Sequence, residues 1–170
     1  MPVHCRWSLG FDACVPRCTG LFRYTSAVIR MQLDDIAVAG EGKQFLLLLR
    51  AEADERVLPI VVDPLQALAV AAGRNGDKPA RPMTHDLILS LLEVLGATVE
   101  EVQITDLQEG TFFAVLVVER GGVRFDLDAR PSDALAVAVR VDAPILVAED
   151  VLEKSGLEDD THEAGEGVEA

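Results

Sequence analysis

One short segment carries a charged side chain at every second position: Arg124, Asp126, Asp128 and Arg130. A period of two is typical of a β-strand and would place these four side chains on one face. Asp126 and Asp128 could then hold Mg²⁺ or Mn²⁺ through carboxylate oxygens, and Arg130 could bind phosphate oxygens. The alternative is a solvated strand face with alternating charges.

The segment Thr84-His85-Asp86 is a second candidate site. His85 is the only histidine between residues 31 and 155, and an imidazole can act as general acid or base near neutral pH. Thr84 is expected to be an N-cap, and Asp86 would favour the N-terminus of the helix that follows. The alternative is a capped helix with an exposed histidine in its first turn.

Further polar residues could complete an anion site. Arg74 and Arg81 precede the histidine segment and would form a small basic patch in an acidic chain. We expect both to contact substrate together with Arg130. Ser132 lies at the predicted start of a helix, where its hydroxyl and the backbone N–H groups would favour an anion.

The hydrophobic pattern predicts the elements that must position these residues. Strands are expected near 32–39, 44–51, 56–62, 98–106, 111–119, 122–129 and 144–148, and helices near 64–74, 84–95, 131–140 and 149–155. Hairpins outnumber crossovers, so the fold class is α+β with mostly antiparallel sheets. The first three helices lack a polar face, so we expect them to be buried between sheets or in an oligomer interface.

An offset of 67 residues superposes two parts of the chain. Residues 64–71 fall on residues 131–138 with six identities, and Phe45 falls on Phe112. This predicts an internal duplication of a strand-strand-helix unit. The two helix starts differ in polarity: the first copy has Asp63-Pro64-Leu65-Gln66, and the second has Arg130-Pro131-Ser132-Asp133. The second copy is therefore the better candidate for chemistry.

Charge and cysteine divide the chain into three parts. Residues 1–30 hold four arginines, one acid and all three cysteines, whereas residues 31–170 hold 11 basic and 28 acidic residues, a net charge of −17. We expect 1–30 to be an extension outside the fold, 31–155 to be the domain, and 156–170 to be a flexible acidic tail. The spacing of His4 and the cysteines fits no zinc pattern well, so the extension holds either a metal or free thiols of a cytoplasmic protein.

Several function classes are excluded by what the chain lacks. Its apolar runs are far shorter than the roughly 18 residues that span a bilayer, which excludes a membrane protein. It has no P-loop, G-x-G-x-x-G, H-E-x-x-H, G-x-S-x-G or paired C-x-x-C motif. The common NTPase, dinucleotide-binding, zinc-protease and α/β-hydrolase sites are therefore excluded.

Three motifs make the chain resemble the bifunctional nuclease domain family: Leu58-Pro59-Ile60, Arg81 to Leu87, and Asp126 to Ala134. The resemblance runs from about Met31 to Ser155. It implies a compact α+β domain that commonly forms homo-oligomers, and a nuclease that acts on RNA and DNA with little sequence preference. The family motifs fall on these residues: His85, Asp86, Asp128, Arg130, Ser132 and Asp133. Members often carry Gly-x-x-Glu where this chain has Val62 to Gln66.

If the chain is a nuclease, the motif residues take separable roles. His85 would act as base or acid, Arg130 would bind the phosphate, and Ser132 and Asp133 would complete the catalytic set. Asp128, with Asp126 or Asp133, would hold the metal. A domain this acidic, with four phenylalanines and no other aromatic residue, predicts weak, non-specific and salt-sensitive binding of nucleic acid.

Two other functions fit the sequence. The first is a non-enzymatic oligomeric interaction or regulatory module, in which Arg130 and Asp133 form a buried ion pair and Asp86 only caps a helix. The second is a small-anion binding protein that uses the helix start after Pro131. Motif side chains that converge on an open cleft would favour catalysis, whereas burial and mutual pairing would favour a structural role.

Overall fold

The computed structural model describes residues 27–39, 44–76, 79–155 and 157–158. The strands are β1 (Val28–Ala39), β2 (Gln44–Ala51), β3 (Arg56–Val62), β4 (Thr98–Gln108), β5 (Thr111–Arg120), β6 (Val123–Ala129), β7 (Ile145–Ala148) and β8 (Leu157–Glu158). The helices are α1 (Pro64–Arg74), α2 (Thr84–Val94), α3 (Pro131–Val141) and α4 (Glu149–Ser155). The cysteines and the end of the acidic tail lie outside the described residues.

The described strands form one sheet in the order β6-β5-β4-β7-β1-β2-β3-β8. Every neighbouring pair is antiparallel except β4 with β7. The prediction of an α+β fold with mostly antiparallel pairing is confirmed. β1 begins four residues before the predicted strand, because Val28 to Met31 pair with β7. Strand β8 was not predicted, because a strand of two residues is too short to show alternation.

The sheet order reflects the internal repeat. Strands β1, β2 and β3 precede α1, and strands β4, β5 and β6 precede α3, with β7 between the two groups. The second hairpin turns at Gly121 and Gly122, which both have positive φ, as a tight turn between these strands requires. Each repeated unit also includes the strand before its hairpin, which the unit predicted from sequence left out.

Helices α1 and α3 begin at the same end and pack side by side. Asp63 caps α1, because its Oδ1 accepts the N–H groups of Leu65 (2.8 Å) and Gln66 (2.9 Å). Farther along, α1 approaches α3 so closely that a Cβ at Gly73 would lie 2.6 Å from Nη1 of Arg140. Residues 134–138 of α3 are buried at the centre of the core.

Helix α2 differs from its prediction in two ways. Its N-cap is Met83 rather than Thr84, since the carboxylate of Asp86 accepts the Met83 N–H at 2.8 Å. None of its residues is fully buried, because the described strands form a single sheet and offer no second sheet to cover it. Burial in an oligomer interface, the other expected possibility, stays a prediction. Its exposed apolar side chains are Leu87, Ile88, Leu91 and Val94. No helix within the described ranges is long and apolar enough to cross a bilayer.

Candidate active site

The two polar motifs meet at the carboxylate of Asp133, in the first turn of α3. Its Oδ1 lies 3.5 Å from Nε2 of His85, and its Oδ2 accepts a hydrogen bond from Nε of Arg130 at 2.7 Å. His85 is the second residue of α2, and Arg130 is the N-cap of α3. Folding therefore brings residues 45 positions apart in sequence to one carboxylate.

The guanidinium of Arg130 is open to solvent. Its side chain is 69% exposed, and that of Asp133 is 38% exposed. The hydrogen bond from Asp133 raises the pKa of Arg130 above its usual value, so the guanidinium stays charged. The pair forms as the structural-module alternative predicted, but it is not buried. Its exposure favours a role in binding an anion.

His85 lies behind Asp133 rather than in the open. Its side chain is 13% exposed, so the expected exposed histidine in a first turn is wrong. Its Nδ1 is buried and has no hydrogen-bond partner among the described residues. A groove lined by Asp133 does not include His85 in its described lining. His85 therefore acts on the groove only indirectly, through its contact with the carboxylate of Asp133.

A second ion pair fixes the start of α2 against the core. Nε of Arg140, which is only 8% exposed, lies 2.7 Å from Oδ1 of Asp86. Arg140 also donates to the carbonyl oxygens of Ala69 (2.9 Å) and Ala136 (2.6 Å). The hydrogen bond from Arg140, followed by that from the Met83 N–H, lowers the pKa of Asp86. Because Asp86 is next to His85, this pair fixes the backbone that carries the histidine.

Two grooves adjoin Arg130. The acidic groove, of about 440 Å³, is lined by Asp128, Arg130 and Asp133 together with the start of β5. The basic groove, of about 230 Å³, is lined by Arg130, Ser132 and Gln66 together with the end of β3. Both include Thr111, Phe112 and Arg130 in their lining. Arg130 therefore stands between a groove with two carboxylates and a groove with none among its described lining residues.

The structure does not bring the other two arginines to this cluster. Arg74 donates to the carbonyl of Asp34 at 2.5 Å and lines a separate groove of about 320 Å³. It ends α1, whereas Arg130 adjoins the beginning of α1, and ten helical residues span about 15 Å. Arg81 is exposed in the segment between α1 and α2.

The residues predicted to hold a metal are only partly assembled. Asp126 and Asp128 are both exposed on β6, an edge strand, and only Asp128 lines the acidic groove. Arg124 on the same strand pairs with Glu100 and Glu101 of β4, which raises its pKa. Within the described ranges no three His, Cys, Asp or Glu side chains are placed to hold a metal ion. These residues do not fit a dedicated Mg²⁺ or Mn²⁺ site.

Sequence reasoning missed Gln66, Thr111 and Arg140. Gln66 occupies the segment where relatives of the resembled family often have Gly-x-x-Glu, and its neighbour Asp63 is occupied as a helix cap. Arg140 had a signal that could have been used. It interrupts an apolar helix, and the repeat offset of 67 places it on Gly73, the residue that leaves space for it.

The comparisons with known proteins agree with these motifs. The Bifunctional nuclease domain family matches residues 47–160. An uncharacterized protein of Mycobacterium tuberculosis is 46% identical over 122 residues, which are 72% of this chain and 73% of that protein. Bifunctional nuclease 2 of Arabidopsis thaliana is 31% identical over 94 residues, which are 54% of this chain and 29% of the plant protein.

Bifunctional nuclease 1 of Arabidopsis thaliana is 32% identical over 96 residues, again 54% of this chain and 29% of the plant protein. The family match covers more than half of the chain, including His85, Arg130 and Asp133. The chain therefore belongs to the bifunctional nuclease domain family.

Proposed function

We propose that the chain is a nuclease that hydrolyses phosphodiester bonds of RNA and DNA with little sequence preference. The observation that supports this is the carboxylate of Asp133, which joins His85 to the exposed guanidinium of Arg130 at the edge of a groove. These groups fit a phosphate rather than a base edge. Phosphate contacts carry no direct sequence information, which agrees with low sequence preference.

Arg130 binds the reacting phosphate in this proposal. Its Nε is held by Asp133, so the two terminal nitrogens can face the non-bridging oxygens. The positive charge stabilises the negative charge that builds up on these oxygens as water attacks phosphorus.

Asp133 and His85 handle the proton. The carboxylate of Asp133 lines the acidic groove and accepts the proton of the attacking water. His85 lies behind this carboxylate and holds it in position. One P–O ester bond breaks as the new P–O bond forms. The departing oxygen takes up a proton from solvent water, and Asp133 releases its proton to solvent, which restores the carboxylate. Asp133 is thus the catalytic residue of the pair, and His85 positions it.

We also propose that the chain acts as a homo-oligomer in the cytoplasm and binds nucleic acid weakly. The apolar side chains exposed on α2 support the oligomer, because a stripe of this kind is typical of a protein interface. The net charge of −17 over residues 31–170 supports weak binding of a polyanion.

The activity test uses the full chain with Mg²⁺ and either plasmid DNA or total RNA. We expect degradation that falls about a hundredfold or more in Arg130→Ala and Asp133→Asn. Arg120→Ala is the matched control, since Arg120 is an exposed arginine at the far end of β5. Degradation that survives both site variants would refute the proposal. If wild type and Arg120→Ala are both folded and neither degrades either substrate, the non-enzymatic module is favoured instead.

A further inference from the structure

We infer that the basic groove binds the nucleotide unit adjacent to the phosphate held by Arg130, with Gln66 and Thr111 as binding residues. This inference rests on the proposed nuclease function. The two grooves share Arg130, Thr111 and Phe112, so a strand whose phosphate lies at Arg130 would continue from one groove into the other.

The charge of the groove suits a nucleotide. The chain carries a net charge of −14, yet among the described residues that line this groove Arg130 is the only charged one. A polyanion is therefore not repelled at this place by a lining carboxylate. Both carboxylates, Asp128 and Asp133, line the other groove.

A hydroxyl in the lining has no hydrogen-bond partner among the described residues. Ser132 is 6% exposed, and no hydrogen bond joins its hydroxyl to another described residue. The N–H groups of Asp133 and Ala134 already donate to the carbonyl of Arg130. The Ser132 hydroxyl, rather than the helix N-terminus itself, is thus the group that this end of α3 offers to a ligand.

Gln66 and Thr111 add donors on the other walls. The Oε1 of Gln66 accepts the Asp63 N–H at 3.0 Å, which leaves its amide N–H₂ for the groove. Thr111 begins β5, directly after the β4–β5 turn at Gly110. These polar groups lie in the same lining as the apolar side chains of Val61 and Phe112, a mixture that suits the sugar and base of a nucleotide.

The size of the groove limits the occupant. Its volume of about 230 Å³ is below the usual range of ligand pockets, roughly 300 to 1,000 Å³. This volume leaves room for at most one nucleotide unit and not for a longer stretch of bound chain. The groove therefore selects the unit next to the cleaved bond, not a long sequence.

The direct test is calorimetric titration of the full chain with adenosine 5′-monophosphate and, separately, with inorganic phosphate. We expect the nucleotide to bind about tenfold more tightly than phosphate, and Gln66→Glu to remove about tenfold of that affinity. Glu at position 66 keeps the acceptor for the Asp63 N–H, so the cap of α1 is retained. Gln32→Glu adds the same charge on β1 and should bind as wild type does.

Two results of the titration would overturn the inference: equal affinity for nucleotide and phosphate, or equal affinity in Gln66→Glu and wild type. A kinetic test adds a second measurement. Thr111→Val, which adds no charge beside Arg130, should raise KM for a dinucleoside monophosphate several-fold more than KM for bis(p-nitrophenyl) phosphate. An equal rise for both diesters would also overturn it. If wild type cleaves neither diester, the proposed function fails, and the titration still decides the inference.

Discussion

At the level of single residues, Asp133 contacts both His85 and Arg130, and Arg140 fixes the start of the helix that carries His85. Asp133 contacts Arg130 at the surface of the acidic groove and contacts His85 behind that surface. Arg140 acts inside the protein, where it binds Asp86 and two carbonyl groups. A charge buried in this way is costly once a partner is removed.

Asp86→Asn should therefore lower the free energy of unfolding at pH 7 by about 2 kcal/mol. The folded pKa of Asp86 is below its ordinary value, so the carboxylate stabilises the fold above about pH 4. This contribution is lost as the pH falls through the folded pKa. Urea unfolding of both proteins between pH 7 and pH 3 measures it, with Glu153→Gln at an exposed position of α4 as the control. A constant difference at every pH would contradict this role.

At the scale of elements, the contact between α1 and α3 depends on Gly73. Gly→Ala in an exposed helix usually stabilises by about 1 kcal/mol. Here the added Cβ would lie 2.6 Å from Arg140 and 2.7 Å from Val139, so we expect a destabilisation of about 1–3 kcal/mol instead. Thermal unfolding of Gly73→Ala measures the sign, and Ser90→Ala on exposed α2 is the control. Stabilisation by Gly73→Ala would show that the helices are less closely packed.

The exposed face of α2 makes a prediction about assembly. Leu91→Glu places a charge in the middle of the apolar stripe, and Leu91 is already 57% exposed in the single chain. We expect the variant to remain folded and to have a smaller mass in light scattering than wild type. Gln44→Glu on β2 adds the same charge outside the stripe and should keep the wild-type mass. Equal masses for Leu91→Glu and wild type would exclude α2 from the interface.

The elements were predictable where local pattern decides them. Strands β2 and β3 and helices α1 and α4 have their predicted bounds. The start of α1 is set by a local signal, because Asp63 caps the helix and Pro64 is its first residue. The cap of α2 was wrong, since a carboxylate three residues into the helix competed with the threonine. Whether an apolar helix is covered depends on sheet number, which periodicity does not encode.

At the scale of the whole molecule, two repeated halves create one asymmetric site. The repeat places Gln66 and Asp133 at equivalent positions, and the structure puts both beside Arg130 in different grooves. The motifs predicted that His85 and Arg130 are close, and the structure shows them joined through Asp133. Arg74 was predicted to lie in the same basic patch because it is close in sequence to the histidine segment. It lies instead at the last residue of α1, and the length of this helix separates it from Arg130.

The small number of arginines at the site predicts how the affinity for nucleic acid responds to salt. Few arginines contact phosphate at this site, so few counterions are released. We expect a slope of log affinity against log salt of magnitude below about 3 for a single-stranded 20-nucleotide probe. Fluorescence anisotropy with a catalytically inactive Asp133→Asn chain measures it. A slope of magnitude near 6 or more would require a broad basic surface that the described residues do not form.

His85 and Arg130 should work as one site through Asp133. A double-mutant cycle of kcat/KM with His85→Ala, Arg130→Ala and both together tests it most directly. We predict that the double variant loses little more activity than Arg130→Ala alone, because residues that act as a unit are not additive. Losses that multiply independently in the double variant would contradict the account.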